Sequence, residues 1–259
     1  MDALGGVGVL VTRPAHQAAP LCRLLESHGA TVVRMPAIDI KPGIDTGLLK
    51  TRLASPEAFD LVIFTSANAV RFGVALLESH PTVKLAAIGP ATARALEASG
   101  FQVAAVPPSA HDSEHLLGHP ALAHVDGKRV LIVKGLNGRE TLQDELARRG
   151  AHVTVAEVYR REPARYSAAE LAALQAQFAA GDIQIVTATS AEIAASVLVM
   201  ATPALRLAFG RATWLVPGTR VAHALRENGL TAPIVQAASA LDQDLVAALI
   251  RWRSSESGA

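Results

Sequence analysis

Short apolar, β-branched runs alternate along the whole chain with stretches whose apolar residues recur at helical spacing. The runs VGVLVT (7–12), TVVRMPA (31–37), LVIFT (61–65), KLAAIG (84–89), QVAAVP (102–107), RVLIVK (129–134), HVTVAEVY (152–159), IQIVTA (183–188), TWLVP (213–217) and PIVQA (233–237) read as strands. Between them, QAAPLCRLLESHG puts Leu21, Leu24 and Leu25 on one face and stops at Gly29. ARALEASG, LQDELARRG and AHALRENG also close on glycine, the residue that best tolerates the positive φ just past a helix end. This alternation predicts an α/β protein with parallel sheets flanked by helices on both faces. Ten strands divide more naturally into two sheets of five than into one very wide sheet.

An internal repeat supports two sheets. VIFTSANAV (62–70) and IVTATSAEIA (185–194) each end an apolar run in Thr-Ser, at Thr65-Ser66 and Thr189-Ser190, and open a helix at once. A second element follows in the same order: AIGPATARALEASGF (87–101) resembles LVPGTRVAHALRENGL (215–230). The pattern is that of a duplicated lobe. Pro-bearing segments near 36–42 and 158–166 read as linkers. Residues 40–162 would then form one contiguous lobe, inserted into a discontinuous lobe made of 1–38 and 166–259.

Half of the residues are apolar, enough for a substantial core, and only 4% are aromatic. The formal net charge is +1 with both signs interspersed. The basic stripe and stacking aromatics of a nucleic-acid binder are missing, so no such partner is expected. The single cysteine, Cys22, excludes an intramolecular disulfide and reads as a small core residue. The start MDALGGVGVLVTRP has no basic n-region, and IAASVLVMATPAL is too short and broken to span a bilayer. A cytoplasmic protein without membrane contact is the expectation, with the tail RSSESGA disordered.

Ligands of open parallel sheets bind outside the carboxyl ends of the strands. One lobe offers Arg13, Thr189, Ser190 and Thr219 there; the other offers Thr65, Ser66, Asn68, Gly89, Thr92, Ser113, Lys134, Gly135, Gly138 and Arg139. Most are small polar residues at helix N-termini, where free N–H groups favour anions. Each turn taken singly is explained by helix capping; their number is what points to an anionic ligand. KGLNGRE (134–140) is glycine-rich between strand and helix, yet fits neither a Walker loop nor a dinucleotide fingerprint. Arg139, a cation in a first helical turn, calls for a carboxylate partner, and Asp112 or Glu140 would serve as well as a ligand. The nine histidines form no metal motif, the pair His111 and His115 included. No G-x-S-x-G is present. Tyr159 ends a strand at a lobe crossover, either as a core or hinge residue or as a phenol able to donate a proton.

VTRP (11–14), FTSANAV (64–70), IGPATARAL (88–96), DSEHLL (112–117), GKRVLIVKGLNGRETLQDELARRGA (127–151) and EVYRREP (157–163) together resemble uroporphyrinogen-III synthases, in that family's order. The resemblance implies two flavodoxin-like lobes joined by a two-segment linker, with the site in the cleft they form. It implies a lyase that cyclises hydroxymethylbilane to uroporphyrinogen III, losing water and inverting the last pyrrole, with no metal or organic cofactor. Tyr159 matches the family's cleft tyrosine, and Thr92 matches a threonine that lines the cleft. A monomer in transient contact with the preceding enzyme of the pathway is implied as well. Two positions depart from the family pattern: Val221 stands where a second threonine is common, with Thr219 as its substitute, and Lys134 stands where arginine is common. Competing readings are a non-catalytic two-lobed binder of a small anion and a glycosyltransferase, for which no nucleotide-sugar signature is visible.

Overall fold

The computed structural model describes residues 2–43, 59–77, 83–108 and 112–256. It divides into two compact units, Met1–Asp39 with Glu162–Ala259, and Ile40–Arg161. The first unit contains β1 (Gly8–Val11), α1 (Ala15–Ser27), β2 (Thr31–Arg34), α6 (Ala168–Ala179), β8 (Ile185–Thr187), α7 (Ala191–Met200), α8 (Pro203–Arg211), β9 (Thr213–Pro217), α9 (Gly218–Glu227), β10 (Ile234–Ala237) and α10 (Asp242–Glu256). The second contains β4 (Leu61–Phe64), α2 (Ala67–Gly73), β5 (Lys84–Ala87), α3 (Pro90–Ala98), α4 (Ser113–Leu117), β6 (Arg129–Gly135) and α5 (Thr141–Arg148). The unit boundaries fall inside β3 (Ile38–Pro42) and β7 (His152–Pro163).

Each sheet has five strands, in the orders β10-β9-β8-β1-β2 and β3-β7-β6-β4-β5. In the first, every neighbouring pair is parallel. In the second, β5, β4, β6 and β7 run parallel. Continuous burial explains the continuously apolar strands. Gly8–Val11 and Leu61–Phe64 are buried at all four positions, because helices cover both faces of the sheets. Val62 and Phe64 pack with α2 and α3, whereas Leu61 and Ile63 pack with α4 and α5. In the first unit, Val9 and Val11 meet Leu21, Cys22 and Leu25 of α1 and Leu245 and Leu249 of α10. Trp214 lies fully buried, its Nε1 donating to the Phe209 carbonyl at 3.0 Å.

Three readings of the chain need correction. QVAAVP (102–107) is no sheet strand: one bridge joins Ala105 to Ala86. Pro107 and Pro108 lack the N–H a ladder needs, so pairing ends there. The fifth place in the second sheet goes to β3, within the segment read as a linker. Ile38-Asp39-Ile40 alternates as a strand should, and the proline at its end is tolerated because β3 is an edge strand. The tail likewise remains helical through Glu256, since Leu245, Val246, Ala248 and Leu249 anchor α10 against the core. Residues 257–259 lie outside the described residues.

The repeat seen in the sequence is real but permuted. Strands β9-β8-β1-β2 correspond in order to β5-β4-β6-β7, and β10 corresponds to the bridge at Ala105. The half that comes first in the second unit therefore comes last in the first unit.

Candidate functional site

In the second unit, β5 lies on one side of β4 and β6 on the other, so strand order reverses at the carboxyl ends of β4 and β6. Such a switch point is where open α/β sheets bind ligands. Thr65 ties the two strand ends together: its N–H and its Oγ1 both donate to the Val133 carbonyl, at 3.1 and 3.3 Å. Ser66 caps α2, accepting from the Ala69 N–H at 3.0 Å. Asn68 is buried in the first turn of that helix. After β5, Gly89 caps α3 in an extended conformation, and Thr92 is buried in the first turn.

The Lys134–Arg139 loop occupies the neighbouring edge. The register of β6 against β7 shifts between Lys134 and Gly135. Gly135 then approaches Tyr159 so closely that a Cβ would lie 2.6 Å from the ring carbon bearing the hydroxyl. Leu136 donates its N–H to the Tyr159 carbonyl at 2.8 Å, Asn137 takes φ 57°, and Gly138 closes the turn onto the Gly135 carbonyl. Lys134 is 6% exposed, and its Nζ donates to the Gly138 and Arg139 carbonyls at 2.9 and 3.4 Å. The Tyr159 ring is core, stacked 6.1 Å from Phe72. Its hydroxyl reaches the carboxyl edge, 3.1 Å from Ser66 Oγ, and accepts from Arg161 Nη2 at 3.3 Å. The Arg161 guanidinium also lies 5.6 Å from the ring centroid, a cation–π contact.

Arg139 is exposed, and its side chain makes no ion pair with Asp112, Glu140 or any other acid among the described residues. Asp112 caps α4 and pairs with His115 instead. The His115 N–H, then the His115 ring, hold the Asp112 carboxyl below its usual range; Arg139 adds only a weak pull through space. Ser113 is buried at the start of that helix. Beside it lies a cavity of about 670 Å³ lined by Val106, Pro108, Glu114, His115, Gly118, His119 and Pro120.

In the first unit the order reverses between β1 and β8. Thr12 and Thr187 join these strand ends, Thr12 Oγ1 donating to the Thr187 carbonyl at 2.5 Å and Thr187 Oγ1 to the Leu10 carbonyl at 3.1 Å. Arg13 follows. Its Nε donates to Thr189 Oγ1 at 3.4 Å, its Nη1 pairs with Asp242, and its Nη2 donates to the Ala240 carbonyl. Ser190 caps α7 through the Ile193 N–H at 3.2 Å. Gly218 opens α9 at φ 69°, which favours glycine, and Thr219 beside it is exposed. Val221 is buried where Thr92 is buried in the other unit.

The structure thus groups Thr65, Ser66, Asn68, Gly89, Thr92, Lys134, Gly135, Gly138, Arg139 and Tyr159 at one carboxyl edge, with Ser113 on the adjoining α4. It groups Arg13, Thr189, Ser190 and Thr219 at the other. Sequence reasoning missed Arg161 and Asp242. The two-residue spacing of Tyr159 and Arg161 on one strand face was the available signal for the first. An acid opening α10 was the only hint of the second. Among the described residues no cluster of metal ligands occurs, and no helix is long and apolar enough to cross a membrane. His111 lies outside the described residues.

The family model described as uroporphyrinogen-III synthase HemD matches residues 19–247. The uroporphyrinogen-III synthase of Escherichia coli K12 is 34% identical over 192 residues, covering 72% of this chain and 77% of that protein. That of Salmonella typhimurium LT2 is 36% identical over 170 residues, covering 63% and 69%. Among solved structures, a mutant uroporphyrinogen III synthase from Thermus thermophilus aligns with a TM-score of 0.58 at 24% identity, over 98% of this chain and all of that one. The synthetase from Helicobacter pylori 26695 gives 0.60 at 19% identity, over 95% and 99%. These structures share the fold of this chain; the sequence matches carry more, and by them the chain belongs to the uroporphyrinogen-III synthase family.

Proposed function

We propose that the protein is an enzyme of tetrapyrrole synthesis, a hydro-lyase that converts hydroxymethylbilane to uroporphyrinogen III. The observation that carries this reading is the family match together with two switch-point edges dressed with the same Thr-Ser turn. Hydroxymethylbilane is a flexible chain of four pyrroles bearing eight carboxylates. Many small donors spread over two edges suit it better than one strong anion site. Arg139, exposed and without an acidic partner among the described residues, would accept a carboxylate directly. Ser66, Asn68, Thr92, Ser113, Thr189, Ser190 and Thr219 would supply hydroxyl or amide contacts, and Gly89, Gly135 and Gly138 would let backbone approach. Arg13 and Lys134 would stand behind these groups. The order 2-1-3-4-5 in the first unit, with β9-β8-β1-β2 matched by β5-β4-β6-β7 in the second, supports two flavodoxin-like lobes, 1–38 with 166–259 and 40–162. The crossings near 36–42 and 158–166 would be their linker.

Rate enhancement would come chiefly from folding the bilane so that the correct pyrrole carbon attacks. Departure of the hydroxymethyl oxygen needs a proton. Arg161 donates to the Tyr159 oxygen, which directs the phenolic proton toward Ser66 Oγ. The Ser66 hydroxyl can then give its own proton to the leaving oxygen and take that of Tyr159, so that hydroxide leaves as water. The tyrosinate formed stays beside the Arg161 guanidinium, and the proton lost on ring closure restores it. We further propose a cytoplasmic monomer that meets the preceding enzyme transiently.

The test is an isomer assay. Hydroxymethylbilane generated in the reaction vessel should yield isomer III in excess when the protein is present. Isomer I alone, the product of spontaneous closure, would remove the assigned activity.

A further inference from the structure

The permuted repeat makes a residue-by-residue comparison of the two edges possible. Val62 of β4 pairs with Leu131 of β6, and Val186 of β8 pairs with Leu10 of β1. Thr65 and Thr189 stand three positions after Val62 and Val186. Three positions after Leu131 and Leu10 stand Lys134 and Arg13. The two cations therefore occupy corresponding places, each at the end of a central strand beside the threonine of the Thr-Ser turn.

They also do the same thing. Lys134 is buried, and its Nζ donates to two carbonyls of its own loop, Gly138 and Arg139. The Arg13 side chain is 12% exposed. All three of its guanidinium nitrogens are engaged, with Thr189, Asp242 and the Ala240 carbonyl. Both head groups are thus engaged by groups of their own unit. Each closes the loop that follows it in space: 135–140 in one unit, 238–242 in the other. The Lys134 brace fixes the backbone that presents the exposed Arg139. The Arg13 brace fixes the backbone between β10 and α10 and, through Thr189, the Thr-Ser turn.

We propose that Arg13 and Lys134 are corresponding positioning residues, which shape the two edge loops and do not touch the substrate carboxylates, with Asp242 as the third member of the Arg13 brace. This rests on the proposed activity for its kinetic consequence but not for its structural one.

The two consequences are read separately. Amide hydrogen exchange on the substrate-free protein tests the braces without any substrate. Lys134→Gln should lose at least tenfold protection in 135–140 only. Arg13→Lys, which keeps the charge but loses the fork, and Asp242→Asn should each lose it in 238–242. In the isomer-III assay, Arg139→Gln should flatten the dependence of KM on salt, whereas Lys134→Gln and Arg13→Gln should lower kcat and leave that dependence as in the wild type. Asp242→Asn is the sharpest variant, because it is mild enough to fold and the two accounts differ in sign. A brace predicts a KM equal to or above the wild type. A direct carboxylate contact predicts that unmasked Arg13 binds more tightly, with KM at least threefold lower and steeper in salt. That result, or unchanged exchange in all three variants, overturns the proposal. A wild-type protein that gives only isomer I defeats the assigned activity and leaves the exchange result standing.

Discussion

The two carboxyl edges begin alike and end differently. Both place a Thr-Ser turn beside a strand that ends in a cation, and both use the serine to cap the next helix. In the first unit the cation meets a carboxylate, Asp242, so that edge carries hydroxyls and little net charge. In the second the cation meets only carbonyls, and Arg139 adds a second positive charge without an acidic partner among the described residues. The second edge also has Tyr159 behind Ser66, where the first has no phenol beside Ser190 among the described residues. A Thr-Ser turn thus serves as a cap in both units, but only in the second does its serine meet a phenol among the described residues. The shared part explains folding; the unshared part is where the proposed proton transfer would run.

The comparison can be broken or sharpened by substitution. Gly135→Ala should have the largest effect. Its Cβ would stand 2.6 Å from the Tyr159 ring, and overpacking of this kind costs about 2–3 kcal/mol. Turnover should fall about 100-fold, in proportion to an energy of that size at the reacting geometry; a fully active Gly135→Ala protein would disconnect the loop from Tyr159. Next, Ser66→Ala should destabilise the protein by about 1.5–2 kcal/mol in denaturant titrations, losing a cap and a phenol contact together. Ser190→Ala should cost only about 1 kcal/mol, for the cap alone. Equal losses would mean that the Tyr159 contact contributes nothing. Tyr159→Phe should lower kcat about tenfold, a barrier change of about 1.4 kcal/mol, while leaving KM within about twofold.

Smaller still is Val221→Thr. It would restore the family's common threonine, but in a buried slot, where a hydroxyl costs about 1 kcal/mol, so thermal stability should drop without a gain in turnover. Faster turnover in that variant would show that the first edge wants the hydroxyl after all. The smallest effect concerns pH. Tyr166 donates to the Pro36 carbonyl at 2.6 Å, and burial, then the Asp39 and Glu170 carboxylates, push its phenol up to about 12. In the unfolded chain it ionises near about 10. The folded state keeps the proton longer, so this contribution is complete below about pH 10 and is lost as pH rises through about 12. Alkaline melting of Tyr166→Phe should accordingly fall less steeply over that range than that of the wild type.

Much of this was legible in the residues. Apolar strand runs, glycine-terminated helices and the twice-used Thr-Ser turn pointed to two parallel sheets and both edges. β3 was missed because Pro36 and Pro42 mask an alternating strand, and 102–107 was overread because its β propensity is real while Pro107 removes the N–H that pairing needs. The permutation was invisible, since the repeat preserves local order and only strand adjacency reveals which half comes first. Candidate site residues could be named where one position carries its own chemistry, as at Ser66 or Arg139. Partners brought together over long separations, such as Arg13 with Asp242, leave no mark in a single sequence. Tyr159 was read as ending a strand at a crossover; the close approach of Gly135 to its ring, which only the pairing of β6 with β7 creates, left no mark in the sequence.

The central claim is that this chain directs ring closure and that the charge at the second edge holds the substrate. The most direct measurement is the ratio of isomer III to isomer I formed from hydroxymethylbilane, by the wild-type protein and by Arg139→Gln, across substrate concentrations. The account predicts predominantly isomer III from the wild type, and from Arg139→Gln a smaller share of isomer III at low substrate, the two proteins converging as substrate saturates both. Isomer I from both, at the rate of the protein-free control, would contradict it.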